Sequence, residues 1–246
     1  MGRQSMMNMK STETSMHTRQ AFAAAWPICL GYLAIGMAFG VLARQAGLAI
    51  YQIALMSCIV FAGSAQFIAV SMISSGASVL SIIVTTFMVN LRHLLMSSSL
   101  SLHLRGENKM LLSLFSYGVT DESFAVNLGK FSGGPWNIKD ALMVNHTANA
   151  FWILSTIIGG YAGAFIPSGS FGIDYALSAM FLCLLVFQLK GALIVLISAI
   201  AGILSVMFCL TVSGNLHVIL SSVLAATLGV VVKSYYLRHK ISRGNS

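Results

Sequence analysis

The chain has 246 residues, 57% of them hydrophobic and only 8% charged, with a formal net charge of +8. Soluble domains carry about 25% charged residues, so this composition cannot clothe a water-facing surface and leaves no room for a separate soluble domain. Mean hydropathy of +0.85 and repeated apolar runs of about 20 residues place it among all-α, polytopic transmembrane helical bundles embedded in a lipid bilayer.

In chain order, residues 1–21 form a polar N-terminal tail, read as cytoplasmic, with Arg3, Lys10 and Arg19. Hydropathy and loop signals then predict eight spans, at 22–43, 52–73, 77–99, 110–129, 141–166, 175–189, 191–211 and 217–237. The count falls to seven if the short segment around 176–189 only re-enters. The integral domain is 22–237, and 238–246 is a basic tail. Pro27 is expected in the first turns of the first span, where a missing N–H costs little. Gly36 with Gly40, and Gly159 with Gly163, are small-xxx-small pairs that favour close helix packing.

Loop charge orients the chain. With both termini inside, Lys130, Lys139, Lys190, Lys233, Arg238, Lys240 and Arg243 join the N-terminal basic residues on the cytoplasmic side. Arg44, Arg105 and Lys109 fall outside, and Arg92 lies within the membrane. That asymmetry follows the positive-inside rule and accounts for the net charge without a nucleic-acid partner. Cys29, Cys58, Cys183 and Cys209 all sit in apolar segments without CxxC spacing. They read as packing residues, with no disulfide, metal or cofactor implied.

Several polar positions interrupt this apolar pattern. The second span contains Gly63-Ser64-Ala65-Gln66, where small residues let backbone approach a ligand and glycine eases local unwinding; helix packing is the competing reading. In the third span Thr86, Asn90, His93 and Ser97 share one helical face, and Arg92 points about 100° away. An Arg or His at membrane depth costs about 2.5–3.5 kcal/mol, so these side chains need protein or water around them. Alternatively the helix ends near residue 91 and both side chains anchor at the headgroups.

Asp121 and Glu122 interrupt the fourth span. Two carboxylates at depth do not both ionise without a cation, so one is expected to pair with Arg92 and one to take up a proton. The other possibility is that this segment dips in and returns, leaving the acids wet. In the fifth span Asn145 and Asn149 share a face beside His146 and serve as ligands or as interhelical glue. The second and third spans loosely resemble the fourth and fifth in their order of polar breaks, as a duplication would leave them. No Walker loop, HExxH or GxSxG is present, so no enzyme is read here.

Phe61-Ala62-Gly63-Ser64-Ala65-Gln66-Phe67, Asn90-Leu91-Arg92-His93-Leu94-Leu95-Met96 and Tyr117 to Ala125 together resemble the AzlC family, as does Gly36 to Gly40. These are large subunits of bacterial branched-chain amino acid exporters. The resemblance, over roughly residues 22–165, implies residence in the bacterial inner membrane and a small AzlD-type membrane subunit as partner. It also implies export of valine, leucine, isoleucine and sometimes methionine, driven by membrane potential or a proton gradient. It supplies no site residues. From the residues themselves, Gly63, Ser64, Gln66, Asn90, Arg92, His93, Asp121, Glu122, Asn145 and Asn149 are the candidates for substrate binding or coupling. The rival class is a non-transporting membrane sensor or scaffold for the small subunit.

Overall fold

The computed structural model describes residues 2–167 and 191–211 continuously, with scattered positions in 172–189 and 224–232. It divides into two compact units, residues 1–177 and 178–246. All described regular elements are helices, and every candidate site residue lies in the first unit. That unit holds α1 (Gly2–Gln45), α2 (Ile50–Ile59), α3 (Gly63–Ser74), α4 (Val79–Ser101), α5 (Lys109–Tyr117), α6 (Asp121–Gly133) and α7 (Ile138–Ala162). In the second unit α8 spans Ala192–Thr211, matching the expected span 191–211. The expected spans 175–189 and 217–237 lie largely outside the described residues.

Helices α1 and α7 pack side by side and run in the same direction. His17 Nδ1 lies 3.2 Å from Asp140 Oδ2, Ser155 Oγ donates to the Tyr32 carbonyl at 2.9 Å, and Gln45 Nε2 donates to the Ile166 carbonyl at 3.1 Å. The glycine pairs make this approach possible. A Cβ on Gly40 would collide with the Thr156 carbonyl and the backbone at Gly159 and Gly160, and one on Gly159 with the backbone of Met37. Such contacts cannot be relieved by a rotamer change, only by separating the helices. Gly40→Ala is therefore expected to cost about 1–3 kcal/mol, read as a lowered melting midpoint of the purified protein. Gly31→Ala, where a Cβ meets nothing within 4 Å, is the matched control and leaves the midpoint unchanged.

The two shorter helix pairs fold differently from the sequence expectation. Take the C-terminal end of α7 as the upper end. Helix α2 starts there, with Ile50 and Ile53 against Gly160, and descends; Thr156 Oγ1 lies 2.9 Å from Ser57 Oγ, and Gly63 meets the Trp152 ring. The chain then reverses, and α3 climbs beside α1. The Phe61 ring lies 6.3 Å from Tyr32, and Phe67 lies 5.3 Å from Phe39, seven residues higher on α1.

Helices α5 and α6 mirror this from the lower end. Going up α7, Asn145 Nδ2 donates to the Phe115 carbonyl at 3.1 Å and Asn149 Nδ2 to the Tyr117 hydroxyl at 3.3 Å. After the turn, α6 descends. Glu122 lies at Tyr32, and residues Ala125 to Pro135 lie beside Ala24 and Gln20 on α1. The tips of the two hairpins touch, with the Tyr117 hydroxyl donating to the Cys58 carbonyl and its ring 6.2 Å from Phe61.

The expected spans 52–73 and 110–129 therefore do not cross; each is a re-entrant helical hairpin. Their halves hold 9 to 13 residues, about 13–20 Å at 1.5 Å per residue, against a hydrocarbon core of about 30 Å. Hydropathy over about 20 residues is the same whether the chain continues or doubles back. Among the described residues, three helical segments are long and apolar enough to cross: His17–Gln45, Val79–Ser101 and Ile138–Ala162. Five expected spans in this unit thus become three plus two hairpins. Non-helical backbone at depth needs protein partners, and Tyr117 and Asn145 supply them to the exposed carbonyls at both turns.

Helix α4 runs opposite to α7. Its middle reaches Ser64 and Val119, and Leu100 and Leu104 at its lower end pack with Phe115, Ile138 and Ala141. Arg105 and Lys109, expected on the side away from the N-terminus, consequently lie at the lower end, as do Lys130 and Lys139. Two further expectations change in α1. The polar segment expected as a tail continues the helix down to Gly2, so Pro27 sits inside it and not in its first turn.

The loose resemblance between segments becomes a structural repeat. Helices α2 and α5 begin at Ile50 and Lys109, and α4 and α7 at Val79 and Ile138, each pair 59 residues apart. Asn90 and Asn149 fall at the same offset. A hairpin followed by a crossing helix thus occurs twice, in opposite directions, as in inverted-repeat transporters.

Candidate functional site

The hairpin tips and the middle of α4 meet at half depth. Helix α6 begins there because Thr120 caps it: its Oγ1 accepts from the Ser123 N–H at 3.3 Å, and Ser123 Oγ accepts from the Thr120 N–H at 2.9 Å. That capping box puts Asp121 and Glu122 in the first helical turn, where the helix dipole favours negative charge. Helix α3 also starts here, at Gly63, with no side chain capping its N-terminus. Phe61, which precedes it, holds φ 38°. That left-handed conformation costs a non-glycine residue of order 1–3 kcal/mol and aims α3 back toward its own side.

Arg92 bridges the two helix starts. Its Nη1 lies 2.8 Å from Asp121 Oδ2 and its Nη2 donates to Ser64 Oγ. Both charged side chains remain about a quarter to a third exposed, at 32% for Arg92 and 26% for Asp121. The pair is therefore neither sealed in the core nor at a surface. Helix α4 continues unbroken to Ser101, which removes the alternative of a helix ending near residue 91. One turn-neighbour, His93, donates from Nδ1 to the Val119 carbonyl at 2.8 Å. That bond fixes the proton on Nδ1 of the neutral ring. Three buried atoms on this stretch of α4 have no hydrogen-bond partner: Asn90 Oδ1, Arg92 Nε and His93 Nε2.

The two adjacent acids have separate partners. Asp121 takes Arg92, whereas Glu122 Oε2 lies 2.7 Å from the Tyr32 hydroxyl. Among the described residues no cationic side chain makes an ion pair with Glu122. Tyr32 Oη also lies 2.7 Å from Thr120 Oγ1. A phenol has one proton, so donation to the carboxylate leaves it accepting from the threonine.

The remaining candidates lie behind this cluster as supports. Gln66 is fully buried; its Oε1 accepts from the Ala62 N–H at 3.3 Å and the Trp152 indole at 3.0 Å, and its Nε2 donates to Ser57 Oγ at 3.2 Å. Gly63 packs on the Trp152 ring, and Gly118 leaves room for Asn145. Asn145 Oδ1 accepts from Asn127 Nδ2 at 2.9 Å, and Asn127 Oδ1 from the Trp136 indole at 3.1 Å. Asn145→Leu would strand the Asn127 amide and the Phe115 carbonyl. Each unpaired buried group costs about 1–3 kcal/mol, so a large drop in melting midpoint is expected. Asn149→Leu, which loses one bond to a tyrosine hydroxyl, is expected to cost less in the same measurement.

Sequence reasoning missed Tyr32, Tyr117, Trp152 and Asn127. An aromatic residue in an apolar helix carries no local signal distinguishing a packing ring from one with a working hydroxyl. Thr120 was legible only as part of a polar break.

Comparison with known proteins identifies the chain at the level of its family. The family model described as "AzlC protein" matches residues 27–166. The chain is 32% identical to "Branched-chain amino acid transport protein AzlC" of Bacillus subtilis over 69% of its length and 67% of that protein. It is 27% identical to "Inner membrane protein YgaZ" of Escherichia coli over 85% of its length and 88% of that protein. An "Uncharacterized membrane protein" of the archaeon Archaeoglobus fulgidus is 30% identical over 74% of the chain and 81% of its own length. No solved structure matches the chain. On the extent of the family match, spanning both hairpins, α4 and α7, the chain belongs to the AzlC family.

Proposed function

We propose that this chain is the large subunit of a secondary exporter that moves branched-chain amino acids out of the cytoplasm in exchange for protons. Valine, leucine and isoleucine are the main substrates and methionine a further one, and a small AzlD-type membrane subunit is the partner. The observation that carries this reading is Arg92, held between the starts of two re-entrant helices at half depth. A structural ion pair does not need two broken helices around it; a binding site for a zwitterion does. The substrate carboxylate meets Arg92 and the uncapped N–H groups of α3, and its ammonium meets Glu122, the acid without a cation. Asn90 Oδ1 and His93 Nε2 offer the remaining polar contacts. One methylene discriminates by only about 1–3 kcal/mol, so related apolar amino acids share the site.

Loop charge supports the orientation. With the hairpins re-entrant, the basic residues of the first unit divide unevenly: Arg3, Lys10, Arg19, Arg105, Lys109, Lys130 and Lys139 fall on one side and Arg44 on the other. The lower end is then cytoplasmic in a bacterial inner membrane, as is the N-terminus; the basic C-terminal tail is read as cytoplasmic too. A groove of about 740 Å³ opens between α1 and α6, from Pro135 and Trp136 up to Ala125, one turn below Glu122. It is the entry path from the cytoplasm. Opposed motion of the two hairpins then exposes the site to the other side.

The test is efflux of preloaded labelled leucine from cells expressing the chain with and without its small partner, with Asp121→Asn as a third arm. Partner-dependent efflux that the variant lowers by roughly tenfold or more at unchanged membrane level is the expected result. No efflux in any arm, despite insertion and assembly of both subunits, overturns the export reading in favour of a scaffold.

A further inference from the structure

We propose that Glu122 is the proton-exchange site of this protein, with the Tyr32 hydroxyl as the positioning group that satisfies the carboxyl in both of its protonation states. This rests on the transport reading above and assigns its coupling step. The two neighbouring acids are not equivalent. Asp121 has the Arg92 guanidinium at 2.8 Å as its charge partner. Glu122 makes no described ion pair and has instead a neutral hydroxyl at 2.7 Å. A carboxylate with no cation beside it is the one free to take a proton or a cationic ligand, whereas its neighbour is already matched by Arg92.

Tyr32 is built for such an alternation. When Glu122 is ionised, the phenol donates to Oε2 and accepts from Thr120 Oγ1. When a proton arrives, an O–H bond forms on the carboxyl, Glu122 becomes the donor, and the phenol proton turns to Thr120 Oγ1, also at 2.7 Å. The same three oxygens remain hydrogen-bonded in both states, and the only species exchanged with water is the proton. The ring itself is fixed by edge-on contacts to Trp152 at 5.2 Å and Phe61 at 6.3 Å, and its own carbonyl by Ser155. The hydroxyl is thus held where it is needed and its proton is the part that turns. Because a substrate ammonium and a proton compete for one carboxylate, loading of either releases the other, which is the condition for exchange.

The other titratable or charged groups around Glu122 are few. Helix α1 presents Tyr32, α4 presents Arg92 and His93, and α6 itself presents Asp121. Helix α7 carries His146, whose Nε2 has no partner, and Asp140, which is bound to His17 at the far end. His93 is the one competitor for the role, and variants separate it from Glu122.

The experiment is an infrared pH titration of the purified protein, reading the stretch of a protonated carboxyl, alongside leucine efflux against pH. The chain carries six Asp and Glu residues, so the expected signal in the wild type is a titrating band beyond those of the other carboxyls. It is absent in Glu122→Gln and retained in Asp121→Asn and His93→Gln. In Tyr32→Phe, which keeps the ring and removes the donor to the ionised form, its midpoint moves up by about 1–2 pH units, and the pH profile of efflux moves with it. A titration that Glu122→Gln leaves unchanged, or a midpoint unmoved by Tyr32→Phe in a protein of wild-type melting behaviour, overturns the assignment. The infrared readout needs no substrate, so a titrating Glu122 in a protein that exports no leucine would refute the export reading and leave the proton site standing.

Discussion

Arg92→Gln is expected to lower leucine efflux by roughly tenfold to hundredfold, the loss of a hydrogen bond to a charged group being worth about 1.5–3 kcal/mol. The variant removes the guanidinium that spans Ser64 and Asp121, so the two hairpin tips lose their common partner and a substrate carboxylate loses its cation. Asp121→Asn is expected to fall in the same range. The double variant is the informative one. If the pair only holds the fold, neutralising both partners relieves the stranded charge and restores wild-type behaviour, as buried pairs often allow. For a binding site, assembly recovers and efflux does not. Efflux is measured at matched membrane levels, with complex formation followed separately.

The second large effect is one of sidedness. In a cysteine-free background, Ser75→Cys is expected to react with a membrane-impermeant maleimide only from outside the cell. Glu107→Cys and Gly134→Cys are expected to react only from the cytoplasmic side. All three positions are exposed, in the connections following α3, α4 and α6 respectively. If residues 52–73 and 110–129 crossed as continuous spans, Ser75 and Glu107 would exchange sides while Gly134 stayed put. The result is all-or-none at each site and independent of any transport assay. Labelling of Ser75→Cys from the cytoplasm would contradict the hairpin topology and the inverted repeat together.

The contrast between these segments shows what a sequence of this kind makes legible. The polar face of α4 was readable from helical spacing, and the pairing of Arg92 with one of the two acids followed from the cost of isolated charge. The glycines at 36, 40, 159 and 163 announced a close helix pair, and that is where they lie. The breaks were visible too, at Gly63 and around Thr120. Their consequence was not, because a break at half depth leaves the direction of the following helix undetermined. Direction is set by long-range contacts, Phe67 on Phe39 and Asn127 on Asn145, which no local pattern carries. Loop charge held the missing information: placing Arg105 and Lys109 outside was the weak point of the continuous-span reading, and re-entry removes it. Tyr32 was illegible for a similar reason, since its hydroxyl acquires meaning only when α6 brings Glu122 to it from 90 residues away.

The central claim is that Arg92 at the hairpin junction receives the substrate's carboxylate, and paired ligands test it most directly. Binding of leucine and of leucinol, which lacks the carboxylate, is measured by calorimetry on the purified two-subunit complex and on its Arg92→Gln variant. The wild type is expected to favour leucine by roughly tenfold to hundredfold, and the variant to bind both equally weakly. A variant that keeps the wild-type preference for leucine would contradict the account and place the carboxylate elsewhere.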